Sequence, residues 1–263
     1  MNGTTRVRAL LRCVDVSKSF GGLQALKSVT LTADDQKITG IVGPNGSGKS
    51  TLLKLISGFY RLDGGDINFD GRRITNLHAH DICRMGVSRT SQIVQAFYGM
   101  TALENVLVGS TFGAANRVPA SDRRQAAEDA LSMVNFPPEK INSLGSDLTI
   151  AELKRVQLAK ALASKPKLLL LDELLTGLNP TESDKEIQLI RRINTLGTTI
   201  IIIEHVMRII MGLCDKVIVL QHGEKIAEGT PEEISKNDSV VKAYLGRKYA
   251  LHEDNNAAQG VAK

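Results

Sequence analysis

From Arg8 to about Ile41, apolar and polar positions alternate in short runs, LRCVDVSKSF, LKSVTLTAD and KITGIVG, separated by turn residues at Gly21-Gly22 and Asp34-Asp35. That pattern predicts a β-rich start. A helix is expected from about Lys49 to Ser57, followed by a hairpin in GGDINFDGRRI bounded by Gly64-Gly65 and Asp70-Gly71. From about Ala102 to Lys165 the periodicity turns helical, with a break at Pro137-Pro138. Beyond it, KLLLLDE, TTIIIIEH and DKVIVLQHG read as strands, alternating with helices in PTESDKEIQLIRRINTLG and VMRIIMGLC. Strands that are apolar at nearly every position and flanked by helices belong to a mostly parallel sheet covered on both faces. The fold class predicted is α/β, with the helical stretch inserted into the core. Within that stretch, LTIAELKRVQLAKAL (Leu148 to Leu162) places Leu153, Val156, Leu158 and Leu162 on one apolar stripe. The closing HEDNNAAQGVAK has no periodicity, and residues 251–263 are expected to form a disordered tail.

Composition narrows this picture. At 263 residues, 42% hydrophobic and 23% charged, the chain is long enough for one large domain with an appended subdomain and ordinary enough in usage to fold over most of its length. Its formal net charge of +5 suits contact with phosphates, nucleic acid or an anionic membrane face. Lys and Arg are spread along the chain, which favours a local phosphate site, and no nucleic-acid partner is expected. Cys13, Cys83 and Cys214 lie far apart without metal-ligand spacing and read as thiols in a reducing compartment. No signal-peptide pattern opens the chain and runs such as TTIIIIE are too short to span a bilayer, so a cytoplasmic polypeptide able to dock on a membrane partner is expected.

The chemistry concentrates in a few places. GPNGSGKS, comprising Gly43, Pro44, Asn45, Gly46, Ser47, Gly48, Lys49 and Ser50, fits G-x-x-x-x-G-K-[ST] and sits between an expected strand and an expected helix. Glycines there let backbone N–H groups wrap an anion at a helix N-terminus, Lys49 can reach β- and γ-phosphates, Ser50 can hold Mg²⁺, and Thr51 adds a hydroxyl for the α-phosphate. A glycine-rich connection without ligand is the alternative. LLLLDE delivers Asp172 and Glu173 at the carboxyl end of a strand, Asp172 to orient Mg²⁺ and Glu173 to take a proton from attacking water, unless the pair merely caps the next helix. IIIIEH delivers Glu204 and His205 to the same edge, where His205 is placed to hydrogen-bond a γ-phosphate.

In this order these segments resemble the ATP-binding subunits of ABC transporters, from about Leu11 to Gly246. The resemblance implies a P-loop NTPase core with a mostly parallel sheet, an N-terminal antiparallel β subdomain and an inserted helical subdomain. The divisions expected are a single ATPase domain over 1–250, with 8–92 and 165–246 as the β-rich, RecA-like core and 93–164 as the helical subdomain. ATP and Mg²⁺ are the implied ligands, and ATP hydrolysis the implied activity. Phe20 in VSKSFGG matches the aromatic that stacks on adenine, and Gln92 in SRTSQ matches the glutamine that senses Mg²⁺ and the attacking water. SFGGLQAL, LLKLISGFY, MTALENVLVG, TGLNPTE, EGTPEEI and VVKAYLG look like the branch that energises uptake of branched-chain amino acids and related small amides. Implied partners are a second ATP-binding subunit, of the same or a different polypeptide, two integral membrane permease subunits and, indirectly, an extracytoplasmic solute-binding protein. The implied location is the inner face of the cell membrane. Asn179, where many relatives have Asp, falls on the loop before the second dimer contact, and Leu174 replaces the usual Pro.

Leu148 to Glu152 fall on the signature that one subunit presents to ATP held by the other, but no glycine is present. Thr149 keeps the hydroxyl and is expected to contact γ-phosphate across the dimer. T-x-x-E is equally a capping box, with Thr149 as N-cap and Glu152 reaching back to it. The Glu152 carboxylate is unfavourable beside a phosphate, and Lys154 and Arg155 are expected to offset it. A soluble ABC-type ATPase acting on ribosomes or DNA, and a weakly hydrolysing regulatory module, are the competing functions. One phosphate loop without extended heptads speaks against the first, and intact Asp172, Glu173 and His205 against the second.

Overall fold

A computed structural model describes residues 8–113, 118–174 and 180–240. The chain opens with β1 (Ala9–Phe20) and β2 (Leu23–Asp34), a hairpin turning at Gly21-Gly22, and continues into β3 (Ile38–Val42) and α1 (Lys49–Ile56). Next come β4 (Gly64–Phe69), β5 (Arg72–Arg73), α2 (Ala79–Met85) and β6 (Val87–Arg89). Three helices follow, α3 (Ala102–Phe112), α4 (Arg123–Met133) and α5 (Ile150–Ala163). The chain then alternates through β7 (Leu168–Asp172), α6 (Pro180–Thr195), β8 (Thr199–Ile203), α7 (Met207–Leu213), β9 (Lys216–Gln221), β10 (Glu224–Gly229) and α8 (Pro231–Ser235).

Two sheets result. Antiparallel β2-β1-β4-β5 forms the first, and β10-β9-β3-β8-β7-β6 the second, parallel except for β10 at its edge. Successive side chains on a strand point to opposite faces, and both faces of the second sheet are covered. Leu168, Leu170, Ile201 and Ile203 enter a core shared with α1 and the antiparallel sheet, whereas Leu169, Leu171, Ile200 and Ile202 enter one shared with α3, α4, α5 and α6. This is why these strands lack the alternation of a half-exposed sheet.

The expected helix starts and most strands are found within a residue or two. The single stripe on Leu148 to Leu162 is not. Leu153, Val156 and Leu158 are buried, but Leu162 is only partly so, and Gln157, Ala159, Ala161 and Ala163 are buried beside them. The reason is that α5 packs against α3, α4 and the parallel sheet together. At Gly109 on α3, a Cβ would stand 2.0 Å from the Lys160 carbonyl oxygen, so the two helix backbones meet directly. Ala at position 109 has no flexible neighbour to displace. Gly109→Ala is expected to cost about 1–3 kcal/mol through overpacking, read as a lower urea midpoint with unchanged slope.

Candidate active site

The carboxyl ends of β3, β7 and β8 stand level. Ile41 pairs with Ile203, and Ile203 with Asp172, so the segments leaving each strand converge. From β3 the chain enters a loop in which Gly43 (φ +152°), Gly46 (φ +79°) and Gly48 (φ +100°) take backbone angles that side chains disfavour. A Cβ on Gly43 would also lie 2.0 Å from Leu220 O, because the loop runs hard against the end of β9. The loop delivers Lys49 and Ser50 into the first turn of α1, where unpaired N–H groups attract anions. Ser47 is 2% exposed and its Oγ has no partner, an orphan suited to a phosphate oxygen. Lys49 folds back on the loop, donating to Gly43 O and Pro44 O at 2.9 Å each. Burial lowers its pKa, while Glu173 and Asp172 pull the other way.

Ser50 Oγ donates to Asp172 Oδ1 at 3.0 Å, tying α1 to the end of β7. Asp172 is 2% exposed, and burial raises its carboxyl pKa despite that bond. A buried carboxylate next to a hydroxyl, facing a phosphate loop, is the oxygen donor set that Mg²⁺ takes together with nucleotide phosphates. Among the described residues no cluster of three or more His, Cys, Asp or Glu is arranged to hold a metal unaided. Glu173 follows at φ +51°, left-handed and not glycine, with its N–H on Ile203 O at 3.1 Å. Its Oε2 accepts from Gln92 Nε2 at 2.6 Å, and its Oε1 meets His205 Nε2. Sequence-predicted residues from the segments that follow β6, β7 and β8 are thus joined on one carboxylate.

A cavity of about 970 Å³ holds these groups, and Asn45, Gly46, Ser47, Gly48, Lys49, Ser50, Thr51, Gln92, Glu173, His205 and Phe20 line it. Phe20 ends β1 with 41% exposure, its ring edge-on to Tyr60 at 5.0 Å and Lys18 5.4 Å from its centroid. Sequence reasoning missed Tyr60, whose only signal was the GFY run after α1, and His222, which lines the cavity from the β9–β10 turn.

Thr149 lies outside this cavity, at the start of α5. The capping box forms: Thr149 Oγ1 accepts from Glu152 N–H (3.3 Å), and Glu152 Oε2 accepts from Thr149 N–H (2.8 Å). The same carboxylate also engages the Thr149 hydroxyl and a lysine. The Thr149 hydroxyl proton is directed at Glu152 Oε2 (3.0 Å), so a phosphate contact through it requires that bond to open. The Glu152 charge is met by Lys140, 2.7 Å away, whereas Arg155 donates to Asn135 O. Thr101 with Glu104 and Thr230 with Glu233 form the same box, and only the box on α5 is given a lysine ion pair among the described residues. Asn179 lies outside the described residues.

A glycine-rich loop opening a helix at the carboxyl edge of a parallel sheet, beside an acidic pair, characterises P-loop nucleoside triphosphatases, and this fold and site define that class. The chain belongs to the ABC transporter family and is an ATP-binding, ATP-hydrolysing cassette of it: the model described as ABC transporter matches residues 26–176, and one described as branched-chain amino acid ATP-binding cassette transporter matches residues 224–250. It is 37% identical over 252 residues to the high-affinity branched-chain amino acid transport ATP-binding protein BraF of Pseudomonas aeruginosa, covering 91% of this chain and 98% of that protein. A nucleotide-free ATP-binding cassette from an ABC transporter aligns with a TM-score of 0.81 and 28% identity, covering 90% of this chain and 99% of that one. A dimeric ATP-binding cassette in a post-hydrolysis state, bound to ADP and Pi, aligns with a TM-score of 0.76 and 26% identity, covering 84% and 98%.

Lys140 and the Thr149 donors hold the Glu152 carboxyl below its usual range, at about 2 instead of 4.5. A depressed pKa contributes stability that is present above the unfolded value and lost as pH falls through the folded one. Glu152→Gln is therefore expected to melt below wild type at neutral pH, and the gap to close between pH 4.5 and 2. Thermal unfolding followed by circular dichroism against pH checks this, and a gap independent of pH contradicts it.

Proposed function

We propose that this chain is the ATPase subunit of an importer for branched-chain amino acids or related small amino acids and amides. It works at the inner face of the cell membrane with a second ATP-binding subunit, of the same or a different polypeptide. Two integral membrane subunits receive solute from an extracytoplasmic binding protein. The observation that carries this is the meeting of Gln92, Glu173 and His205 beside the phosphate loop. The name of the relative BraF supports the solute class. No helix among the described residues is long and apolar enough to cross a membrane, so passage of solute falls to other subunits.

ATP enters with adenine on Phe20 and its phosphates on residues 43–51. Lys49 exchanges the Gly43 and Pro44 carbonyls for β- and γ-phosphate oxygens, Ser47 Oγ gains a partner, and Thr51 meets the α-phosphate. Ser50, Asp172 and the amide oxygen of Gln92 would hold Mg²⁺, which neutralises phosphate charge. Glu173 takes the proton of the attacking water, and His205 trades its bond to Glu173 for the γ-phosphate. Thr149 meets the ATP of the second subunit after opening its bond to Glu152.

A groove of about 290 Å³ between the core and the helical subdomain supports docking on a membrane subunit. Phe59 and Phe112 line it at 59% and 69% exposure. Large exposed aromatics clustered in a groove mark an interaction surface. Among the described residues no feature favours an ATPase acting on ribosomes or DNA.

Glu173→Gln is expected to bind ATP with wild-type affinity, to lower turnover about 100-fold or more, and to accumulate as a closed dimer in gel filtration with ATP. Wild-type turnover in this variant would remove Glu173 from catalysis.

A further inference from the structure

Downstream of β6, the chain from Ser91 to Ala96 makes no backbone-to-backbone hydrogen bond among the described residues. Backbone groups that miss secondary structure need other partners, and for Ser91 O and both backbone groups of Gln95 they come from α5. Gln157, 5% exposed, donates from Nε2 to Ser91 O (2.9 Å) and accepts at Oε1 from Gln95 N–H (3.4 Å). Lys160, three positions along and on the same helix face, donates to Gln95 O at 2.8 Å. These bonds fall on both sides of Gln92, whose amide reaches Glu173. Beyond them the grip passes to Asn105 of α3, which accepts from Phe97 N–H (2.7 Å) and donates to Phe97 O (2.9 Å).

A buried amide is costly unless both ends are used. Gln157 is buried on α5 together with Val156, Leu158, Ala159 and Ala161, and both ends of its amide are spent on the segment after β6. We propose that Gln157 is a positioning residue for ATP hydrolysis: it clamps the segment carrying Gln92 so that the Gln92 amide stays on Glu173. Because the clamp sits on α5, a displacement of the helical subdomain moves Ser91 and Gln95 together and takes Gln92 with them. This rests on the ATPase role proposed above and adds the part that links the helices to the reaction.

The test is a double-mutant cycle in the assembled complex, using wild type, Gln157→Met, Gln92→Ala and the double variant. Met keeps the length of Gln without its polar atoms. Gln157→Met is expected to lower kcat about tenfold with Kd for ATP within about twofold. In the Gln92→Ala background the same change should alter kcat less than about twofold, because the residue it acts through is gone. Equal losses in both backgrounds, or an unchanged kcat in the single variant, would overturn the proposal. Gln157→Leu enters the same cycle if the Met variant does not fold, with the thermal midpoint as the check. A wild-type complex that turned over no ATP would instead overturn the ATPase role itself.

Discussion

Parallel pairing of β3 with β8 and β8 with β7 holds Ile41, Ile203 and Asp172 level, and the site depends on that register. The phosphate loop, the acidic pair and His205 all leave the sheet at one edge because the strands carrying them end together. A slip of one residue would exchange the two faces of a strand and send Leu169 and Leu171 into the core that now holds Leu168 and Leu170. Both faces are buried, so such a slip is penalised throughout the strand. The same rigidity sustains Glu173 at φ +51°, a conformation costing a non-glycine residue about 1–3 kcal/mol. Its N–H on Ile203 O and its carboxylate between Gln92 and His205 compensate.

Around this frame two charged side chains are buried. Lys49 is 5% exposed and Asp172 2% exposed. Lys49 rests on two carbonyls, and Asp172 accepts from the Ser50 hydroxyl. Burial shifts both away from their charged forms, which is the condition of a site that gains when phosphate and cation enter together. The start of α5 is the opposite case. The N–H groups of Thr149 and Glu152, the Thr149 hydroxyl and the Glu152 carboxylate are satisfied internally, with Lys140 completing the set. The side chains Ile150 and Ala151 stand exposed there, where flexible glycine was absent from the sequence.

Much of this was legible in the amino-acid order, for local reasons. The phosphate loop is a contiguous motif, and β7 and β8 are unbroken apolar runs, so residues 43–51, Asp172, Glu173 and His205 could be placed without tertiary information. The capping box at Thr149 and Glu152 was legible too, being fixed by a spacing of three. What escaped depends on contacts between distant segments. Strand β6 spans only Val87–Arg89, and β10 is an edge strand whose exposed Glu224 and Lys225 carry no strand signal. Gln157 and Lys160 read as the polar face of an amphipathic helix, yet both point back to the segment after β6. Lys140 lies twelve positions from Glu152, across a turn, and no helical spacing connects them.

The measurement closest to the central claim is coupled ATP turnover and solute uptake in vesicles holding the complete complex. The complex is assembled with either the wild-type chain or its Lys49→Ala variant. If the phosphate loop of this chain supplies ATP hydrolysis to transport, wild type shows both activities and the variant loses both. Solute uptake that persists with Lys49→Ala, or a wild-type complex that hydrolyses no ATP, would contradict the account.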